Sequence, residues 1–96
     1  MFLHLGKDFV IPVKDIIAII DGETALKSGD TKDFFQTARE EDFIYNIVNE
    51  GIKSYIITEK LERDKINGSD IRTSIIYTSN ISSTTLSKRA GFTKNL

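Results

Sequence analysis

Asp15-Ile16-Ile17-Ala18-Ile19-Ile20-Asp21 is apolar nearly throughout and rich in β-branched residues. Such a run, without polar alternation, predicts a strand covered on both faces, by its own domain or by a neighbouring subunit. Two shorter apolar runs precede it. Phe2 to Leu5 and Phe9 to Ile11 flank Gly6-Lys7-Asp8 and read as two strands around a turn. Pro12 offers no ladder N–H, which puts that position on an edge, at a bulge or at a strand end.

Gly22 to Gly29 reads as a loop, and Asp30-Thr31 then offers an N-cap for a helix through roughly Asp42, with Phe34, Phe35 and Ala38 on one stripe. Asp33, Arg39, Glu40 and Glu41 fall on its solvated side. Phe43 to Val48 and Lys53 to Glu59 are β-rich around Asn49-Glu50-Gly51, the pattern of a hairpin. A longer hairpin follows, with arms 53–66 and 69–78. Asn67-Gly68 between them is the best short signal for a two-residue type I′ turn. At the C-terminal end, Ile81 to Gly91 starts with N-cap hydroxyls, spaces Leu86 and Ala90 four apart and stops on glycine, so it reads as a short helix. Lys88 and Arg89 lie in its last turn, where cations complement the helix dipole. The sequence therefore predicts an α+β fold: one β-rich domain over 1–96, built of antiparallel strands with one central helix and a short C-terminal helix.

Ninety-six residues bury roughly two-thirds or less of the surface of the unfolded chain. Without cysteine there is no disulfide or thiolate metal site to supplement that core, so assembly with other copies is expected. No apolar run approaches the length of a membrane span, and Met1 to Leu5 lacks the layout of a signal peptide, so the chain reads as soluble and intracellular. The net charge is −1, yet residues 21–50 carry eight acids against three bases and residues 51–96 carry eight bases against four acids. A fold that separates these segments has one acidic and one basic face.

Enzymatic chemistry finds little support. One histidine, His4, and no cysteine leave no nucleophile with a base and no soft ligand set. Glu40, Glu41 and Asp42 are consecutive and point in different directions around a helix axis, so they form no acid/base pair. The six glycines are scattered singly, which provides no phosphate-cradling loop and no nucleotide cofactor site. No zinc-finger, basic-zipper or aromatic-basic RNA-binding signature occurs either. The expectation is a non-enzymatic protein without cofactor or metal.

Leu3-His4-Leu5-Gly6, the stretch Val13 to Asp21, and Ile81-Ser82-Ser83-Thr84-Thr85-Leu86 with Lys88-Arg89-Ala90 resemble the bacterial extracellular-matrix regulatory proteins, most closely the RemB branch. That resemblance implies a cytoplasmic transcriptional regulator of biofilm matrix genes in endospore-forming Gram-positive bacteria. It also implies a fold similar to the LytTR DNA-binding domain. The sister branch, RemA, binds DNA as a closed ring with basic residues on its rim. DNA, further copies of the chain and a paralogue of the same family are thus the implied partners. An Arg-rich turn of the sister branch corresponds here to Asn49-Glu50-Gly51-Ile52-Lys53, which keeps one Lys beside a Glu, and a second basic position corresponds approximately to Lys14. Joined to the basic second half of the chain, the resemblance nominates Lys14, Lys53, Arg72, Lys88 and Arg89 as DNA contacts. The alternative is a self-assembling interaction or structural protein of the same fold that does not bind DNA.

Overall fold

The computed structural model describes residues 1–27 and 29–92. β1 (Phe2–Gly6) and β2 (Phe9–Pro12) form an antiparallel hairpin that is a sheet of its own. Lys7 and Asp8, at φ +48° and +63°, make the turn with the two left-handed residues of a type I′ connection. Side chains alternate as a half-buried strand demands: Leu3, Leu5 and Ile11 are buried, while Phe2, His4 and Val10 face outward. Pro12 ends β2, one of the positions open to it.

After a 3-10 turn at Val13–Asp15 the chain enters β3 (Ile16–Asp21), the edge of a four-stranded sheet ordered β3-β5-β6-β4, where β4 is Ile44–Asn46, β5 is Ser54–Arg63 and β6 is Asp70–Ser79. The expectation that β3 is covered on both faces fails within the single chain. Its isoleucines are half-buried at best, and Ile17, displaced by a register shift between Ile16 and Ala18, is 60% exposed. One β3 edge pairs with β5, and the other has no strand partner among the described residues.

The stretch expected to be a loop contains a helix, α1 (Gly22–Lys27). The Asp21 carboxylate accepts from the backbone N–H groups of Glu23 and Thr24, at 3.1 and 3.2 Å, and so acts as its N-cap. Asp-Gly is compatible with a turn; here it is a cap followed by a tightly packed glycine, since a Cβ on Gly22 would sit 3.1 Å from the Ile52 carbonyl oxygen. The longer helix α2 runs over Gly29–Glu40, two residues earlier than expected at each end, which puts Asp30 in its first turn instead of at the cap. Phe35 and Ala38 are buried as expected, but Phe34 is 48% exposed. Asp42, at φ +64°, ends α2 in a Schellman arrangement in which the N–H of Phe43 donates to the Ala38 carbonyl and that of Asp42 to the Arg39 carbonyl.

No hairpin forms between 43–48 and 53–59. β4 instead pairs parallel to β6, Ile44 opposite Ile76 and Asn46 opposite Thr78, while β5 lies between β3 and β6. The long hairpin of β5 and β6 is present, with the Asn67-Gly68 turn corrected. Arg63 and Asp70 are the last pair, and residues 64–69 close the loop through Asp64 N–H to the Ser69 carbonyl and Gly68 N–H to the Asp64 carbonyl. Only Gly68 is left-handed there, so a type I′ turn is excluded. Neighbours cover only the root of this hairpin, because β3 pairs no further along β5 than Thr58 and β4 pairs only with residues 76–78 of β6. The rest is a two-stranded arm.

The sheet separates two cores. On one face Leu3, Leu5, Ile11, Ile47, Val48 and Ile56 pack with Leu86 and Ala90 of α3 (Ser83–Arg89) and the residue that follows it. On the other, Tyr55 and Ile76 pack with Ala25 of α1 and with Phe35 and Ala38 of α2. Helix α3 follows its sequence closely. Ser82 caps it by accepting from the Thr85 N–H at 3.2 Å, and Gly91, at φ +80°, closes it as the N–H of Phe92 donates to the Ser87 carbonyl.

Candidate nucleic-acid interface

The five nominated cations all reach solvent, but they do not form one cluster. Lys53 precedes β5 at the base of the sheet, where its N–H donates to the Ser79 carbonyl and its carbonyl accepts from the Gly22 N–H, both at 2.8 Å. Lys14 lies in the 3-10 turn at the other end of β3. Because Ile16 stands opposite Thr58 and Asp21 opposite Ser54, about 20 Å of strand separates Lys14 from Lys53. Arg72 lies out on the arm, opposite Leu61 and seven residues along β6 from Ser79, or about 24 Å from the base. Its guanidinium is 3.4 Å from the Glu59 carboxylate. Lys88 and Arg89 form the last turn of α3, beside the carbonyls that their charge complements.

Lys7, which sequence reasoning passed over, joins Lys53 at the base. It sits in the β1-β2 turn and lines a cleft with Val48, Asn49, Glu50 and Asn80. The cleft adjoins Ser79, whose carbonyl accepts from the Lys53 N–H and whose hydroxyl donates to the Leu5 carbonyl. Nothing local marks Lys7. Only the contact of residues 5 and 79, distant in sequence, brings the turn to this end of the sheet. The segment Asn49 to Lys53 thus lies at the same end as a second lysine.

Electrostatics rank these groups. Among the described residues three ion pairs form: Lys27 with Glu23, Lys60 with Glu62 at 3.0 Å, and Arg72 with Glu59. None uses Lys7, Lys14, Lys53, Lys88 or Arg89. The sheet separates charge only weakly. On one face lie α1, with one acid and one base, and α2, with three acids and two bases, while α3, with two cations and no acid, packs on the other. On the α3 side, a cleft of about 260 Å³ at the root of the arm holds Asp15, Lys60, Glu62 and Tyr77. Burial, reinforced by the Asp15 carboxylate, raises the Tyr77 hydroxyl above its ordinary range, and the hydrogen bond from Lys60 to Glu62 raises the ammonium.

Chemically this surface offers point charges. Among the described residues no group of three or more His, Cys, Asp or Glu side chains could hold a metal ion, and no helix is long and apolar enough to cross a membrane. His4 is exposed on the outer side of β1, opposite Val10. In comparison with curated proteins, nothing matches the chain. Residues 2–90 do match the sequence profile of RemA-like proteins, described as extracellular matrix regulatory protein A-like, and with nearly its whole length covered the chain belongs to that family.

Proposed function

We propose that this protein is a non-enzymatic, cytoplasmic transcriptional regulator of matrix genes, of the RemB kind, that binds DNA as a ring-like homo-oligomer of LytTR-like subunits. The observation that carries the proposal is the uncompensated state of the candidate cations: four of the five have no carboxylate within ion-pair distance among the described residues, in a chain with one more acid than base. Family membership supports the same reading. Separations of 20–24 Å from Lys53 to Lys14 and to Arg72 span about six or seven base pairs of duplex at ~3.4 Å each, so Lys53 contacts different phosphates from those two. A ring presents every contact once per subunit, which lets weak contacts act together.

Fluorescence anisotropy of a labelled random duplex, titrated at rising salt, tests the reading. Expected is an affinity that falls linearly with the logarithm of salt concentration, with a slope of about 0.9 for each phosphate that the protein neutralises. Lys14→Ala with Lys53→Ala should weaken binding on all sequences and flatten that slope while oligomer mass stays unchanged. Parent-like binding by the double variant would remove these residues from the contact surface. A second reading, an assembling interaction protein whose partners are its own copies or a paralogue, is favoured by the neutralisation of Arg72 and the dispersal of the remaining cations. It takes the lead if the parent shows no salt-sensitive binding even at low ionic strength.

A further inference from the structure

The arm makes the molecule longer than its chain length requires. Its principal extents are 42 × 32 × 29 Å and its radius of gyration is 14.2 Å, where a compact chain of this length has about 12.5 Å. The tip is nevertheless well ordered by hydrogen bonds. Asp64 accepts from the Ile66 N–H at 2.8 Å, Asn67 accepts from the Ser69 N–H at 2.9 Å, and two backbone bonds close the loop. What this loop presents is an isoleucine, Ile66, 97% exposed and flanked by exposed Arg63 and Lys65. Asp64, the acid beside them, has its carboxylate turned to the loop backbone.

The same chain carries an apolar groove. Between α2 and the uncovered side of β3, a cavity of about 330 Å³ is lined by Ile17, Phe34, Ala38, Phe43, Ile57 and Ile76. It continues past Phe34 and Ile57 into a second trough bordered by Asp30. Ile17, Phe34 and Phe43 are each about half exposed or more. Exposed Asp30 and Asp33, with Lys32 between them, precede Phe34 on α2, and Asp30 borders the trough, whereas Arg63 and Lys65 lie beside Ile66.

We propose that Ile66, at the tip of the arm of one copy, inserts into the Ile17-Phe34-Phe43 groove of the next, with Arg63 and Lys65 facing Asp30 and Asp33. A subunit cannot satisfy itself, because the six residues from Ile57 to Arg63 hold the tip about 20 Å from its own groove. Knob and hole are different patches, so the contact is heterologous and repeats head to tail, which closes a ring when the rotation per subunit allows it. The inference rests on the oligomeric reading above and supplies the contact that would build it. An apolar anchor in a desolvated pocket with a charged rim is also the usual composition of an interface hot spot.

Light-scattering mass measurements on two variants and their mixture test it. Ile66→Ser removes the knob from a solvent-exposed loop, and Ile17→Lys charges the mouth of the hole against the basic tip; neither residue lies in a core, and circular dichroism checks that both stay folded. Each variant alone should associate about thirtyfold or more weakly than the parent and run at the mass of one chain. An equimolar mixture should run at the mass of two chains and no more, because it holds one intact knob and one intact hole. The proposal is overturned if Ile66→Ser keeps the parent mass, or if the mixture fails to form the two-chain species. A parent that is a single chain at tens of micromolar overturns the oligomeric reading as well, whereas an oligomeric parent with an unaffected Ile66→Ser overturns this contact alone.

Discussion

Ser79 joins the two sheets, and its removal should be costly. A register shift between His4 and Gly6 leaves Leu5 without a partner across the β1-β2 hairpin, and its carbonyl instead accepts from the Ser79 hydroxyl at 2.7 Å. The hydroxyl oxygen of Ser79 in turn accepts from the Ile81 N–H at 3.0 Å, fixing the bend that leads into α3. Leu5 and Ser79 are both fully buried. Ser79→Ala therefore leaves a buried carbonyl and a half-buried N–H without partners. At about 1–3 kcal/mol for each unsatisfied buried group, and less for the half-buried one, the expected loss is about 2–4 kcal/mol. In a domain of this size that lowers the melting temperature by roughly 10–25 °C. Urea unfolding followed by circular dichroism, at one fixed protein concentration because assembly contributes to stability, should show a lower midpoint with an unchanged slope. Ser69→Ala, which removes an exposed hydroxyl, serves as the control and should stay within about 0.5 kcal/mol of the parent. A loss below about 0.5 kcal/mol in Ser79→Ala would refute the argument that these bonds tie the hairpin to the sheet. A reduced slope would show the hairpin detaching on its own.

Leu86→Ala, at a fully buried position between α3 and the β1-β2 hairpin, should cost about 2.7–5 kcal/mol by the same unfolding measurement. Asp42→Gly should stabilise by about 0.5–1 kcal/mol, because glycine accepts the left-handed conformation at the end of α2 and a carboxylate leaves the negative end of the helix dipole; a lower unfolding midpoint counts against it. Glu59→Gln releases Arg72, so DNA affinity should rise and its salt dependence steepen by up to about one neutralised phosphate per engaged subunit, read by anisotropy. The folded state holds the Tyr77 proton more tightly than the unfolded chain, so this group's stabilisation is complete below the ordinary tyrosine range and is lost as pH rises through the elevated folded value. Phenolate absorbance should place one tyrosine above the others, and Tyr77→Phe should abolish that late titration.

Sequence reasoning succeeded where the determining contacts are local. Ser82 and Gly91 bracket α3 within one short segment, and Lys7-Asp8 turns β1 back on β2 between flanking apolar runs. It failed where partners are distant. Phe43 to Val48 has the composition of a strand, but nothing in it says that its partner is residues 76–78, parallel, instead of the adjacent β5. The Ile16 to Ile20 run announces a strand without saying that it is an edge. Asp21-Gly22 carries both a turn signal and a cap signal, and packing of Gly22 against the Ile52 carbonyl decides between them. For the candidate interface, sequence picked out exposed cations, yet it could not see that Glu59 occupies Arg72 or that Lys7 comes to the same end of the sheet as Lys53.

The tie between Leu5 and Ser79 also sets a schedule for synthesis. The β1-β2 hairpin leaves the ribosome before the elements that cover it, because the surface that buries Leu3 and Leu5 includes Leu86 and Ala90, among the last of these core residues to emerge. An isolated two-stranded hairpin is at best marginally stable in water, so these leucines stay exposed while roughly eighty further residues are added at ~5–20 per second. For several seconds each nascent chain carries an uncovered apolar β1-β2 hairpin, open to chaperone binding and to pairing with other nascent chains on the same message.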